Sequence, residues 1–124
     1  MVNGMLVVNV DTVGEAAIVE CAGMIMDNDD AVQLRDAITG RASIRVVVID
    51  LSKVSVTGEI GLGILLSLQR WARHCGIQLK LFNPRSSVRR DLEYASSEFD
   101  LEFASLGEVM ALVIDAGYHQ PLAA

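Results

Sequence analysis

The residues best suited to recognition or modification gather in one run, Ser55-Val56-Thr57-Gly58-Glu59-Ile60-Gly61-Leu62-Gly63, which holds two hydroxyls, a carboxylate and three glycines. A hydroxyl near a helix start can carry a phosphate, and a carboxylate there is favoured by the helix dipole. The glycines from Gly58 to Gly63 fall in the order GxxGxG, the reverse of the dinucleotide fingerprint, and no Gly-Lys-Ser/Thr follows. A nucleotide cradle is therefore disfavoured. The glycines are better read as letting a loop pass close to a sheet and a helix start closely packed. Thr57 and Ser55 offer a displaced phosphorylation site, against the simpler reading of Thr57 as a loop or capping residue bonded to nearby backbone N–H groups.

Other reactive side chains assemble into nothing catalytic. Cys21 and Cys75 are far apart in apolar stretches, with no CxxC and no His/Cys pattern at metal-ligand spacing, so both are expected to be buried thiols. His74 and His119 are the two histidines and form no metal or acid–base set. Asp29 and Asp30 are adjacent in a capping turn, and nothing in their setting pushes either toward a catalytic pKa. Arg85, Arg89 and Arg90 could grip an anion or an acidic partner, although a solvated helix face explains them as well. No catalytic residue, metal or cofactor is expected, and the chain reads as a non-enzymatic binding protein.

Composition agrees. With 124 residues, 52% hydrophobic and 21% charged, the chain suits one folded domain, which the order of elements below makes α/β. Lys plus Arg number 10 against 16 Asp plus Glu, a formal charge of −6, which argues against nucleic acid and anionic lipid as partners. The glycine-interrupted apolar stretch from Ile60 to Leu66 falls far short of the roughly 18–20 residues of a membrane span. No basic segment precedes an apolar run near Met1, so a cytosolic address is expected.

The elements that must position these residues follow from hydrophobic periodicity. Met5 to Val10 and Ala16 to Ala22 read as an antiparallel hairpin ended by Gly23. Asp27 to Asp30 supply capping residues for a helix with Ala31, Leu34 and Ile38 on one face. Arg45 to Leu51 is a continuous β-branched run, expected as a central strand buried on both faces. A loop from Ser52 to Gly58 then leads to a helix from about Ile60 to His74. Its core stripe is Leu65, Leu68, Ala72 and Cys75, with Gln69, Arg70 and Arg73 away from it and Gly76 as its stop. A strand at Ile77 to Phe82, a turn at Asn83-Pro84, a helix at Ser87 to Ala95, a short strand at Leu101 to Phe103 and a helix at Leu106 to Ala116 complete the order β-β-α-β-α-β-α-β-α. The domain is expected to span residues 1–118, with 119–124 a frayed tail.

This series resembles the STAS domain, the family of sulphate transporters and anti-sigma factor antagonists. The likeness rests on Val46-Val47-Val48-Ile49-Asp50-Leu51-Ser52, Val54 to Val56, Gly61-Leu62-Gly63-Ile64-Leu65-Leu66, Gly76-Ile77-Gln78-Leu79 and Val88-Arg89-Arg90-Asp91-Leu92. It implies a mixed sheet with an N-terminal antiparallel hairpin and helices packed mainly on one face. It also implies a regulator that binds a kinase-type anti-sigma factor and is released by phosphorylation of a Ser or Thr after an Asp, in a loop usually reading Asp-Ser-Ser-Gly or Asp-Ser-Ala-Gly before Leu-Gly. Aligned through Gly61-Leu62-Gly63, the Asp position is Gly58, the acceptor position is Glu59 and the next residue is Ile60. All three depart from the family pattern.

Glu59 has no hydroxyl to modify and instead sets a permanent carboxylate at the helix start. Three readings stand: a mimic of the phosphorylated form, a contact suited to a different partner, or a first-turn acid serving stability alone. The candidate partner-binding residues are Thr57, Gly58, Glu59, Ile60, Gly61, Ile64 and Trp71. Ile64, Ser67, Trp71 and His74 share a helical face displaced from the core stripe, and an exposed Trp would be a typical anchor. The expected partner is a protein, either a kinase-type anti-sigma factor or another STAS-like chain, with homo-oligomers left open. Two alternatives are a scaffold subunit that has lost phosphorylation control and a sensor of a small nucleotide or lipid between sheet and helices.

Overall fold

The computed structural model describes residues 6–25, 27–40, 43–56, 58–96 and 101–118. Strands β1 (Val7–Val13) and β2 (Ala16–Ile25) form the antiparallel hairpin, turning at Gly14-Glu15 with Gly14 at φ 57°. Gly23 does not end β2. The strand continues to Ile25 because its neighbour pairs with it over that whole length, and Gly23 accommodates a φ of 104°. Helix α1 (Asn28–Thr39) begins with a reciprocal cap: Asp27 Oδ1 accepts from the Asp30 N–H at 3.1 Å, and the Asp27 N–H donates to Asp30 Oδ2 at 3.2 Å.

Strand β3 (Val46–Val56) is the 11-residue centre of the sheet, and it overruns the expected loop. The reason is a β-bulge. Glu20 pairs with Asp50, but Ala22 pairs with Lys53, so β3 carries one extra residue at that point. Leu51 and Val54, three residues apart, therefore both face the same core. The peptide units of the bulge are satisfied from both sides: Asp50 Oδ1 accepts from the Ser52 N–H at 2.9 Å, and Arg85 Nε donates to the Ser52 carbonyl at 3.1 Å.

Helix α2 (Gly58–His74) ends where expected. The Gly76 N–H donates to the Arg73 carbonyl at 3.1 Å and the Ile77 N–H to the Ala72 carbonyl at 2.8 Å, with Gly76 at φ 72°. Strand β4 (Gln78–Phe82), helix α3 (Ser86–Ser96), strand β5 (Phe103–Ala104) and helix α4 (Leu106–Tyr118) follow. The last strand thus sits slightly later than its apolar pattern suggested, centred on Phe103 and Ala104. The five strands lie in chain order, β1-β2-β3-β4-β5, with every pairing after the hairpin parallel.

Helices α1, α2 and α3 cover one face of this sheet. Their Leu34, Ile38, Leu65, Leu68, Val88 and Leu92 pack on the inward residues of the strands, Val19, Val47, Ile49 and Leu81 among them. Each such side chain contributes about 1.5–3 kcal/mol when fully buried. Helix α4 lies on the opposite face, where Val109 and Val113 meet Val48, Phe82 and Ala104.

Two expectations about α2 are corrected. Cys75 is exposed, because it sits at the helix stop, where the chain turns through Gly76 and leaves the stripe. Gln69 is buried at 5% exposure, since it follows Leu68 on the flank of the stripe away from α1, and its Oε1 has no hydrogen-bond partner among the described residues. The tail 119–124 lies outside the described residues.

Candidate partner-binding surface

The bulge sets the direction in which β3 leaves the sheet, and α2 begins two residues after the strand ends. Glu59 therefore stands just past the carboxyl end of a central parallel strand, the end at which open α/β sheets present their binding residues. It occupies the first turn of a 17-residue helix whose last turn carries Arg73 and His74, so both ends match the helix dipole. Its carboxylate is exposed, and the neighbouring Ile60 is 65% exposed. An exposed isoleucine beside a fixed negative charge has the mixed character of a recognition surface.

The seven candidate residues do not all share this surface. Glu59 and Ile60 face outward, and Gly58 opens the helix. Gly61 is buried, and Ile64, at 5% exposure, belongs to the core. Ile64 lies one turn after Ile60 but on the flank that turns toward α1, so it supports the surface from beneath and offers no side chain to a partner. Trp71 is half-buried against the core, and the Arg35 guanidinium carbon from α1 lies 5.9 Å from its ring centroid. Thr57 lies outside the described residues.

The outward face of α2 extends beyond the seven candidate residues. Gly63, Ser67, Arg70 and His74 are exposed together with Glu59, following the spacing of successive helical turns. A side-chain carbon placed on Gly63 would meet nothing within 4 Å. Gly63 is thus not needed for close packing within the domain, contrary to the reading that all three glycines serve it. The signal for this face was the polar half of the same periodicity that located the core stripe.

Cys21 is buried in β2, and burial first, then the nearby Asp50 carboxylate, pushes its thiol up to about 12. It is a packed, protonated side chain with no nucleophilic character at neutral pH. A cavity of about 340 Å³ opens at the other end of the sheet, where Val46 and Gln78 begin their strands, lined also by Glu15, Arg45 and Asp115. The length of β3, roughly 30 Å at the usual rise per residue, separates it from Glu59. Among the described residues no group of His, Cys, Asp and Glu could hold a metal ion, and no helix is long and apolar enough to cross a membrane.

The hairpin, the parallel crossovers and the helix layers define an α/β domain with a mixed five-stranded sheet. The STAS domain model matches residues 7–107, and the chain belongs to the STAS domain family. Its fold is similar to that of the anti-sigma factor antagonist SpoIIAA in its unphosphorylated form, at 16% identity and a TM-score of 0.62, over 90% of this chain and 99% of that one. An anti-sigma factor antagonist from Mycobacterium paratuberculosis is similar at 23% identity and a TM-score of 0.65, over 90% of this chain and 97% of that one. A variant of RsbS from Moorella thermoacetica, with glutamate in place of a serine, is similar at 20% identity and a TM-score of 0.64, over 90% and 97% of the two chains. No curated protein matched the chain.

Proposed function

We propose that this STAS domain is a non-enzymatic, cytosolic protein-binding regulator of the anti-sigma-factor-antagonist type, in which Glu59 stands where the family carries its phosphorylated hydroxyl. The observation that supports this most is the pairing of an exposed Glu59 with a 65%-exposed Ile60 in the first turn of α2. A phosphate at such a position adds roughly −1.5 to −2 charges and is held by backbone N–H groups and the dipole. The carboxylate supplies a single permanent charge at the same end of the helix. A kinase-type partner that accepts the neutral hydroxyl would meet this charge as it meets the phosphorylated form and be released.

The test is a pull-down from the native cytosol with the wild type, Glu59→Ser and Glu59→Ala, followed by mass spectrometry for partners and for phosphate on residues 52–67. The expected result is a kinase-type anti-sigma factor retained by the two variants and not by the wild type, with phosphate on the introduced serine. Recovery of one non-kinase partner by all three, without phosphate, would instead establish the scaffold alternative.

A further inference from the structure

The polar cavity at the amino ends of β3 and β4 measures about 340 Å³, within the range of small-ligand sites. Glu15, Arg45, Gln78 and Asp115 line it, and backbone bonds fix the first three in a row across the starts of β2, β3 and β4. The Glu15 carbonyl accepts from the Arg45 and Val46 N–H groups at 2.8 and 3.2 Å, and the Arg45 carbonyl accepts from the Gln78 N–H at 2.8 Å. Gly76, at the stop of α2, contributes to the wall, and a side-chain carbon placed on it would meet nothing within 4 Å. The cavity is thus framed by main chain and needs no ligand to form it.

Its electrostatics favour a cation. The carboxylates of Glu15 and Asp115 stand against the single guanidinium of Arg45 among the described lining residues. Helices α2 and α4 both end here, which brings the negative ends of two dipoles together, and α4 has no basic residue in its last turn. The formal charge of −6 acts in the same sense. Glu15 is the focus. Its side chain is only 21% exposed, yet its carboxylate accepts no hydrogen bond among the described residues, and its ion pair with Arg45 Nη1 spans 3.6 Å. That distance is too long for a hydrogen bond. The Arg45 side chain is 73% exposed, so it can turn outward into water and leave the carboxylate to another donor.

We infer that this cavity binds a small organic cation with several N–H donors, an alkylammonium or alkylguanidinium, which takes the Glu15 carboxylate in place of Arg45. A guanidinium meets a carboxylate through two parallel bonds, and an ammonium brings three donors. The Gln78 amide, exposed at the same cavity, supplies a further acceptor, and the second carboxylate of Asp115 suits a ligand with a cation at each end. A metal ion does not fit, because no group of His, Cys, Asp and Glu among the described residues could hold one. An anion would meet two carboxylates for one guanidinium. The cavity lies a strand length from Glu59, and this inference does not depend on the function proposed there.

Nuclear magnetic resonance titration of the isotope-labelled full chain tests it, with agmatine and putrescine as cationic probes and inorganic phosphate as the anionic one. The expected result is saturable movement of the Gly76, Gln78 and Ala116 amides by either cation, half-complete at about 1 mM or below, with Ile60 to Gly63 unmoved. Glu15→Gln should weaken binding by about tenfold or more, through loss of a charge-assisted contact. Arg45→Gln should tighten it by about two- to fivefold, the usual worth of the exposed ion pair that the ligand replaces. Circular dichroism confirms that both variants are folded, and the opposite sign of the two effects distinguishes displacement of Arg45 from general disturbance of the site. Shifts that drift without saturating, unchanged affinity in Glu15→Gln, weaker binding in Arg45→Gln, or saturable binding of phosphate at the same amides would overturn the inference.

Discussion

Arg85, at the threshold of α3, donates from Nε to the Ser52 carbonyl 3.1 Å away, in the bulge at the middle of β3. With the Ser52 N–H bonded to Asp50 Oδ1, the two peptide units that flank Ser52 are held, one by its own strand and the other by the residue that leads into α3. Removing Arg85 as Arg85→Met should cost about 1 kcal/mol, the usual worth of such a bond. Asp50→Ala should cost about 1–2 kcal/mol, because it strands a part-buried N–H. Asp50→Asn should be milder, since the amide oxygen can still accept. Urea denaturation of the three variants checks the ranking.

The two glycines of α2 and its stop should respond to alanine in opposite directions. Gly63 is exposed, inside the helix, and its missing side chain would touch nothing within 4 Å, so Gly63→Ala should stabilise by about 0.5–1 kcal/mol. Gly76 also faces open space, but its φ of 72° penalises any side chain, so Gly76→Ala should destabilise by about 1 kcal/mol. Thermal melts decide both signs.

Glu102 serves two cations at the edge of the sheet. Its Oε2 lies 3.0 Å from Lys80 Nζ and its Oε1 3.9 Å from Arg73. Lys80 is the more enclosed partner, with its side chain 17% exposed against 40% for Glu102. Glu102→Gln should therefore cost more, about 1–2 kcal/mol, because it leaves an enclosed ammonium without its counter-charge. Lys80→Met should cost less than about 1 kcal/mol, since Glu102 keeps Arg73 and water. Chemical denaturation of the two single variants measures the difference.

The cysteines should separate by reagent and by pH. An aromatic disulfide reagent should label Cys75 in the folded protein and reach Cys21 only on unfolding, as their exposure dictates. Cys21 titrates from an ordinary value of 9.0 up to about 12 in the folded state. Below the lower value both states hold the proton and nothing changes. Between the two, the unfolded chain alone releases it, so stability should fall with rising pH by up to about 1.4 kcal/mol per unit. Cys21→Val should remove that part of the alkaline slope, as seen by subtracting its stability profile from that of the wild type.

The sequence was readable wherever one periodicity ran unbroken. Ala31-Leu34-Ile38 and Leu65-Leu68-Ala72 located two helices, and Asp27 and Gly76 marked where one starts and the other stops. It misled at the end of β3, because the bulge puts Leu51 and Val54 three residues apart on one face, and a spacing of three does not look like a strand. The polar Ser52, Lys53 and Ser55 strengthened the appearance of a loop. The same limit applied to the candidate surface: Glu59 was singled out by the resemblance, aligned through Gly61-Leu62-Gly63, whereas the inward turn of Ile64 depends on where α1 packs, which local spacing does not encode. Gln69 was misplaced for a similar reason, since its flank of α2 is covered by the fold and not by its own helix.

Strand order equal to chain order has a consequence for synthesis. Once the β1-β2 hairpin has closed, each later strand can join the free edge left by the one before it. No strand must be inserted between two that have already paired, and none must wait for a distant part of the chain. A chain emerging from the ribosome amino terminus first can therefore build this sheet in the order in which it is made. The carboxyl-terminal α4 docks last and closes the one face that has stayed open throughout.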